Sequence, residues 1–403
     1  MGNDMKELKA SSHFLNLLLD NIDSAILIVD DQMEIHQFNN SFLDLFDCTP
    51  ECILDRSFGR VSGCINAVKA DSGCGNTSRC RRCEVRGLIL DTRPETEPPK
   101  TQHIEHIFYI HGSPVLKHLS IRTRPIHFRG RNMILVIIRD VSENEQYKKE
   151  LEERQAEIEQ ELQAAADLQK SLLPDAQIDI PNTCAAWRFE PCHHVGGDLF
   201  QIYQDSDDTV STYALDVCGH GIHSAFVAVT VSQFLSSLHN RMRLTGKRFP
   251  PEKVMNRLDR AFPMDRFDCF FSIAYATLNI RTGRLVYSNA GHMPPLILRA
   301  DGRLDILQPH DTVIGAGFEG SFGQYEETLK KGDRFILYTD GLVENYGRDG
   351  ERFGKYKFYA AIKEMYRLCL PDLVKGVFDR SSSLRSGMPP TDDMSLVAIE
   401  FTP

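Results

Sequence analysis

The sequence predicts an α+β protein of at least two domains joined by a long helix. Three observations carry that expectation. The 403 residues exceed what one ordinary hydrophobic core fills. Short apolar runs of strand length, bounded by Gly and Asp, occupy both ends of the chain. Between them, residues 143–173 contain no Gly or Pro and are dense in charge and helix formers. With 42% hydrophobic and 25% charged residues the chain has enough apolar surface to bury, which excludes wholesale disorder. A formal net charge of −10 argues against a general nucleic-acid binder, which carries a basic face. The start, "MGNDMKELKASSHF", has no basic-then-apolar leader, and the runs "AILIV" and "MILVII" are too short to span a bilayer. A cytoplasmic protein without a membrane partner is therefore expected. Its 11 cysteines, odd in number and dispersed, suit reduced thiols or a local metal site better than a disulfide framework.

In the first zone, residues 10–142, "SAILIVDDQMEIHQFNNSF" reads as a strand, a turn at Asp30-Asp31, a second strand, and a helix capped near Asn40 or Ser41. "HIFYIHG", "VLKHLSIRTRPIHF" and "NMILVIIRDVSENEQ" supply further strands. In the linker, 143–173, Leu151, Ile158, Ala165 and Leu172 recur every seven residues, with Leu162 between them and Gln155 and Gln169 interrupting the seam. That pattern fits a dimeric coiled coil and a single solvated helix alike, and Pro174 ends it. The third zone, 175–403, has many strand-like runs, two evident helices (222–241 and 356–369) and Gly/Asp turns. Its strands come in runs rather than in βαβ alternation, which favours antiparallel sheets.

One device recurs in this third zone. "DRFILYTDGLVENYG" ends an apolar run in Asp340 and Gly341; "STYALDVCGHG" ends one in Asp216; "HHVGGDLFQIY" sets Asp198 beside two glycines; "PPTDDMSLVAIEF" places Asp392 and Asp393 at the mouth of the last strand. A single Asp-Gly pair is an ordinary turn. Acids at four strand ends would repel one another if they met, unless a cation neutralised them. Carboxylates with water are the ligand set of hard ions such as Mg²⁺ and Mn²⁺, and two such ions about 3.5–4 Å apart can activate water and clamp a phosphoryl group.

Two resemblances sharpen this. "LLDNIDSAILIVDDQMEIHQFNNSFLDLF" and "ILVIIRDVSEN" make the first zone resemble a PAS sensor domain, a small antiparallel sheet with helices on one face. "LQKSLLP", "VGGDLFQIY", "LDVCGHGIHSAFVAV", "TGRLVYSNAGHMPPLIL", "LYTDGLVENYGRDGERFG" and "DDMSLVAIEF" make the third zone similar to PP2C-type Ser/Thr phosphatases of the SpoIIE/RsbU branch. The resemblance implies a PP2C-like α-β-β-α sandwich behind a PAS-like α/β sensor and a helical coiled-coil linker. It also implies two Mn²⁺ or Mg²⁺ ions bridged by Asp216 beside the Val217 carbonyl, with Asp198 on one ion and Asp340 and Asp392 on the other. Asp393 is placed with the metal set but behind it, and Asp216 and Asp340 are the residues on which catalysis should depend. The implied substrate is a phosphorylated STAS-domain anti-anti-sigma factor, and the implied assembly a homodimer through sensor and linker. Eukaryotic relatives carry a His two residues after the bridging Asp, where this chain has Cys218; His220 is near, at another spacing, and "GHG" equally opens the helix at 222. No arginine of the third zone falls in a phosphate-binding motif. The rival reading is a catalytically inactive PP2C-like scaffold that binds a regulatory partner in response to a redox or metal signal.

"GCINAVKADSGCGNTSRCRRC" gathers Cys64, Cys74, Cys80 and Cys83 in the middle of the sensor zone. Zn²⁺, an iron–sulfur cluster and a metal-free dithiol switch all suit such spacing, with Arg79, Arg81 and Arg82 at hand to favour thiolates. His103, His106, His111, His118 and His127 read as ordinary surface histidines, His193 and His194 as structural, and Trp187 as a core residue.

Overall fold

The structure, a computed structural model, describes residues 18–19, 21–53, 56–69, 74–92, 99–128, 130–175, 178–308, 311–317, 322–346, 352–385 and 388–403. The chain forms two compact units, Met1–Ala156 and Glu157–Pro403. Residues 10–17 of the expected sensor lie outside the described residues.

The first unit holds β1 (Ala25–Val29), β2 (Ile35–Phe38), α1 (Asn40–Phe46), α2 (Phe58–Val61), α3 (Ile65–Val68), α4 (Glu84–Leu90), β3 (Lys100–Ile110), β4 (Ser113–Phe128) and β5 (Arg131–Asp140). The strands make one antiparallel sheet in the order β2-β1-β5-β4-β3. Its inner face follows the two-residue period of a strand: Ala25, Leu27 and Val29 are buried, as are Val136 and Ile138 opposite them. The helix cap falls at Asn39, one residue before the expected position. Its Oδ1 accepts from the N–H groups of Phe42 (3.3 Å) and Ile26 (2.8 Å), and its Nδ2 donates to the carbonyls of Leu19 and Ser24. One buried amide thus closes the helix start and the strand beside it.

Helix α5 (Ser142–Lys170) crosses the division between the units. The second unit continues with β6 (Thr183–Glu190), β7 (Asp198–Ser206), β8 (Thr209–Val217), α6 (Ile222–Thr245), α7 (Pro251–Ala261), α8 (Met264–Phe267), β9 (Phe271–Asn279), β10 (Arg284–Ala290), β11 (Leu296–Leu298), β12 (Leu304–Ile306), β13 (Tyr325–Thr328), β14 (Arg334–Tyr338), α9 (Gly354–Glu364), α10 (Leu370–Arg385) and β15 (Met394–Phe401). Two five-stranded sheets, β13-β10-β9-β8-β7 and β12-β11-β14-β15-β6, are antiparallel throughout. In the second sheet alternate residues take opposite sides. Phe335, Leu337, Val397 and Ile399 join the large core shared with the first sheet, while Ile336, Tyr338, Leu396 and Ala398 meet Phe358, Val377 and Phe378 of α9 and α10. Helix α6 packs on β7 and β8. The layers run helix, sheet, sheet, helix.

Besides several short ones, two long helices of the second unit, α7 and α10, were not expected from the sequence, and the expected 356–369 helix is shorter. It ends at Glu364 because the buried Arg334 guanidinium donates to the carbonyls of Tyr366 (3.1 Å) and Leu368 (2.8 Å), holding that segment out of a helix. Helices α7 and α10 each carry proline in the first turn, where its missing N–H costs nothing. Among the described residues, no helix is long and apolar enough to cross a membrane.

Replacing Asn39 by Ala strands four backbone groups at a site where the side chain is buried. The expected cost to the first unit is about 2 kcal/mol or more. It is read from the denaturant midpoint of that unit, with faster hydrogen exchange at the Ile26 and Phe42 amides.

Candidate active site

The edges of the two sheets bring the sequence-distant acids together. Asp198 opens β7 and Asp216 is the last residue but one of β8, and the two are directly paired across the ladder. Asp340 follows β14 after Thr339, and Asp392 precedes β15, the neighbour of β14. Asp216, Asp340 and Asp392 all line one cleft of about 410 Å³, together with Cys218, His220 and Ser272. Asp198 lies beneath it, only 2% exposed.

Glycine makes this approach possible. A Cβ at Gly341 would lie 2.1 Å from the Asp393 carbonyl, and one at Gly197 would lie 2.8 Å from the Val217 carbonyl oxygen. Both backbone approaches, that of the turn after β14 and that of the residue before β7, are open only to a residue without a side chain. Gly219 and Gly221 take positive φ values, +90° and +86°, and set His220 between them.

Burial and mutual repulsion drive the carboxyls upward. Asp216 is pushed up to about 7, first by burial and then by Asp340, Asp392 and Asp393. Asp340 rises to about 6 through burial, Asp392 and Glu344, and Asp392 rises by burial and Asp393, opposed by His220. Asp198 is held well above the usual carboxylate range by burial and then by Asp216, against two hydrogen bonds that favour its charged form. Those bonds come from the hydroxyls of Thr339 (2.6 Å) and Ser395 (2.7 Å), both to Oδ2. An all-oxygen donor set, crowded and short of positive charge, fits hard divalent cations.

Asp393 stands apart. Its Oδ1 accepts from the Cys192 amide (2.9 Å) and its Oδ2 from the Gly197 amide (2.6 Å), so both oxygens pin the loop that leads to Asp198. Cys192, Asp392 and Asp393 present donor atoms within 4.8 Å of one another. The Cys192 thiol, pushed up to about 12 by burial and then by Asp393, stays protonated and makes a poor partner for a hard ion.

Several working residues escaped the sequence reading. Thr339 and Ser395 support Asp198; the only sign of them was their place beside acids already singled out. Buried Gln169, which appeared as an interruption of a heptad, donates to the Gly196 carbonyl (2.6 Å) and accepts from the Gly196 amide (3.0 Å). His292, within a quoted motif but given no role, is buried with Nδ1 2.7 Å from the Ser272 hydroxyl, and burial lowers it to about 3, leaving it neutral. His193 lines the cleft, its ring 5.4 Å from that of His220. Trp187 is half-buried and packs against Phe200.

Two stacked sheets with carboxylates gathered at one edge define a hydrolase frame of the PP2C class. Residues 206–402 match the family described as Stage II sporulation protein E (SpoIIE), and residues 13–80 match a PAS domain. The chain is 25% identical over 254 residues to the phosphoserine phosphatase RsbU of Bacillus subtilis (strain 168), a span covering 61% of this chain and 71% of RsbU. It is 29% identical over 189 residues to the phosphoserine phosphatase RsbP of the same organism, covering 46% of this chain and 45% of RsbP. The solved SiaA-PP2C domain of Pseudomonas aeruginosa shares the fold, with a TM-score of 0.53 at 21% identity over 62% of this chain and 98% of that one. The chain is thus similar to PP2C serine/threonine phosphatases of the SpoIIE/RsbU type, and its N-terminal part to a PAS domain.

A carboxyl whose pKa is raised by folding stabilises the fold fully below its unfolded value near 4, and that contribution is lost as pH climbs through the folded value. In EDTA, the melting temperature of the second unit should therefore fall from about pH 4 to about 7 and level off above, the window between the unfolded value and the Asp340 and Asp216 values of about 6 and 7. Saturating Mn²⁺ should abolish or reverse the slope, and Asp216→Asn should flatten it without metal. A midpoint that rises with pH in EDTA would contradict this account of the site.

Proposed function

We propose that the second unit hydrolyses phosphoserine or phosphothreonine on a partner protein, using two Mn²⁺ or Mg²⁺ ions. Asp216 with the Val217 carbonyl would contribute to holding both ions, Asp198 would hold one, and Asp340 and Asp392 would hold the other. The observation that carries this is the meeting of Asp216, Asp340 and Asp392 in one cleft above buried Asp198. Bound there, the ions would supply Lewis acidity to the phosphoryl group and lower the pKa of an attacking water. The protein's share is positional. Thr339 and Ser395 fix the Asp198 carboxylate, Asp393 fixes the loop before it, and Gly341 lets the Asp340 turn sit against the Asp392–Asp393 backbone. Such fixed geometry is what in-line phosphoryl transfer requires of an active site.

The partner that best fits is a phosphorylated STAS-domain anti-anti-sigma factor, in a cytoplasmic pathway of sigma-factor control gated by the N-terminal unit. RsbU and RsbP, both named phosphoserine phosphatases, support the substrate class. Self-association along α5 belongs to the same reading, since Tyr147 and Leu151 leave apolar surface exposed on its N-terminal half.

Mn²⁺-dependent release of phosphate from a phosphoserine protein should fall by at least about a thousandfold in Asp216→Asn and in Asp340→Asn, with folding unchanged by circular dichroism. Turnover equal to wild type in both variants would overturn this assignment of the site, and no turnover by wild type with either ion would leave the scaffold reading. A phospho-STAS partner from the host should lose its phosphate at a rate that responds to deletion of the first unit. Survival of every such partner beside hydrolysis of another phosphoprotein would sink the sigma-factor assignment alone.

A further inference from the structure

The first unit contains a second concentration of chemistry that phosphate hydrolysis does not use. Cys64 precedes α3, Cys74 lies in the following loop, Cys80 sits in the helical turn Ser78–Arg82, and Cys83 caps α4. All four line a single cavity of about 20 Å³, whose wall also includes His106 of β3 and Arg86 of α4. His106, expected at the surface, is half-buried with Nε2 3.0 Å from the Cys64 sulfur. The cation facing the sulfurs is Arg86, whereas Arg79, Arg81 and Arg82 point to solvent.

The backbone is fitted to the sulfurs rather than to a generic core. A Cβ at Gly59 would lie 2.6 Å from the Cys74 sulfur and 3.6 Å from the Cys64 Cβ. The amides of Asn66 and Ala67 face the Cys64 sulfur, that of Gly59 the Cys74 sulfur, and that of Gly75 the Cys80 sulfur. The Thr77 hydroxyl stands 3.0 Å from the Cys80 sulfur. An apolar wall needs small hydrophobic side chains and no amides turned toward them. Burial pushes the Cys64 and Cys74 thiols up, while N–H groups face three of the four sulfurs and an imidazole and a guanidinium line the same wall, surroundings that orient sulfur ligands and leave a bound cation to hold them as thiolates.

We propose that this cavity holds a thiolate-bound metal centre, ligated by Cys64, Cys74, Cys80 and Cys83 with His106 hydrogen-bonded to or replacing one sulfur. One chemistry admits two occupants, a single Zn²⁺ or an iron–sulfur cluster. Among the described residues, no three of these donor atoms lie within 4.8 Å of one another. Around one tetrahedral ion with bonds of about 2.3 Å the sulfurs would stand about 3.8 Å apart, so Zn²⁺ must draw them inward, while a cluster spans a wider ring. The centre is independent of the phosphatase reading.

The test is metal analysis of the full chain, expressed with zinc and iron supplied and purified anaerobically. Zinc, iron and acid-labile sulfide are measured per chain, with visible absorption, for wild type, Cys83→Ser, Cys184→Ser and Asp216→Asn. Wild type should carry about one zinc, or iron and sulfide with a visible chromophore, and this should drop at least about tenfold in Cys83→Ser. Cys184→Ser, at an exposed position of β6, and Asp216→Asn should keep it. Zinc without sulfide assigns the single ion, and iron with sulfide assigns the cluster. A wild-type chain with neither metal and four freely alkylated cavity thiols would overturn the proposal. So would a loss of metal in Asp216→Asn with retention in Cys83→Ser. The wild-type measurement decides even where Cys83→Ser fails to fold.

Discussion

Mutual repulsion among carboxylates is the constraint on which the second unit is built. Asp198, Asp216, Asp340 and Asp392 meet at the facing edges of two sheets from four strands, and every one of them is pushed toward protonation by burial and by neighbouring acids. No isolated fold gains stability from such an arrangement. It persists because the surrounding structure over-determines it: two full antiparallel sheets set the strand ends, and the interior behind them is closed and apolar. Function here is held against the local electrostatic gradient by packing elsewhere.

The support around the acids is graded. Asp198, the most deeply placed, receives two hydroxyl donors. Asp393 is taken up by backbone amides and acts on the loop before Asp198. Asp392, at the exposed rim, has its charge opposed by Asp393 and Glu344 and aided by His220. The cleft therefore runs from a rigid floor to an open, titratable mouth. That polarity matches what a phosphatase acting on protein surfaces must combine, fixed oxygens below and access above.

The strand-end acids were legible because each one repeats a local rule, an apolar run that stops at Asp beside Gly, and the repetition was itself the signal. The helices α7 and α10 were not, since a proline in the first turn looks like a break until its missing N–H is seen to fall where no bond was due. His106 was misread for another reason. Strand alternation assigns a face, but what covers that face is decided by Cys64, 42 residues away in sequence. Thr339 and Ser395 share that difficulty, because their partner Asp198 is reached only when β7 meets the β14–β15 pair. Arg334 shows the limit most plainly, ending a helix through carbonyls more than 30 residues on.

Gln169 bears on where the catalytic body begins. Its side-chain amide mimics a peptide group and completes both hydrogen bonds of Gly196, two residues ahead of Asp198, while Ala166 packs with Val195 and Ala225. The last turns of α5 are thus a wall of the phosphatase and not merely its tether. A chain cut at the composition boundary near Pro174 would keep every acid and still lose the partner of the Gly196 peptide, leaving the loop under Asp198 to be finished by water. A paired peptide group offers no intermediate settings, since a shift of one residue along the helix replaces the amide with Leu168 or Lys170. The second unit for that reason takes in the end of α5, and its boundary is set by the Gly196 peptide rather than by the change in composition at Pro174.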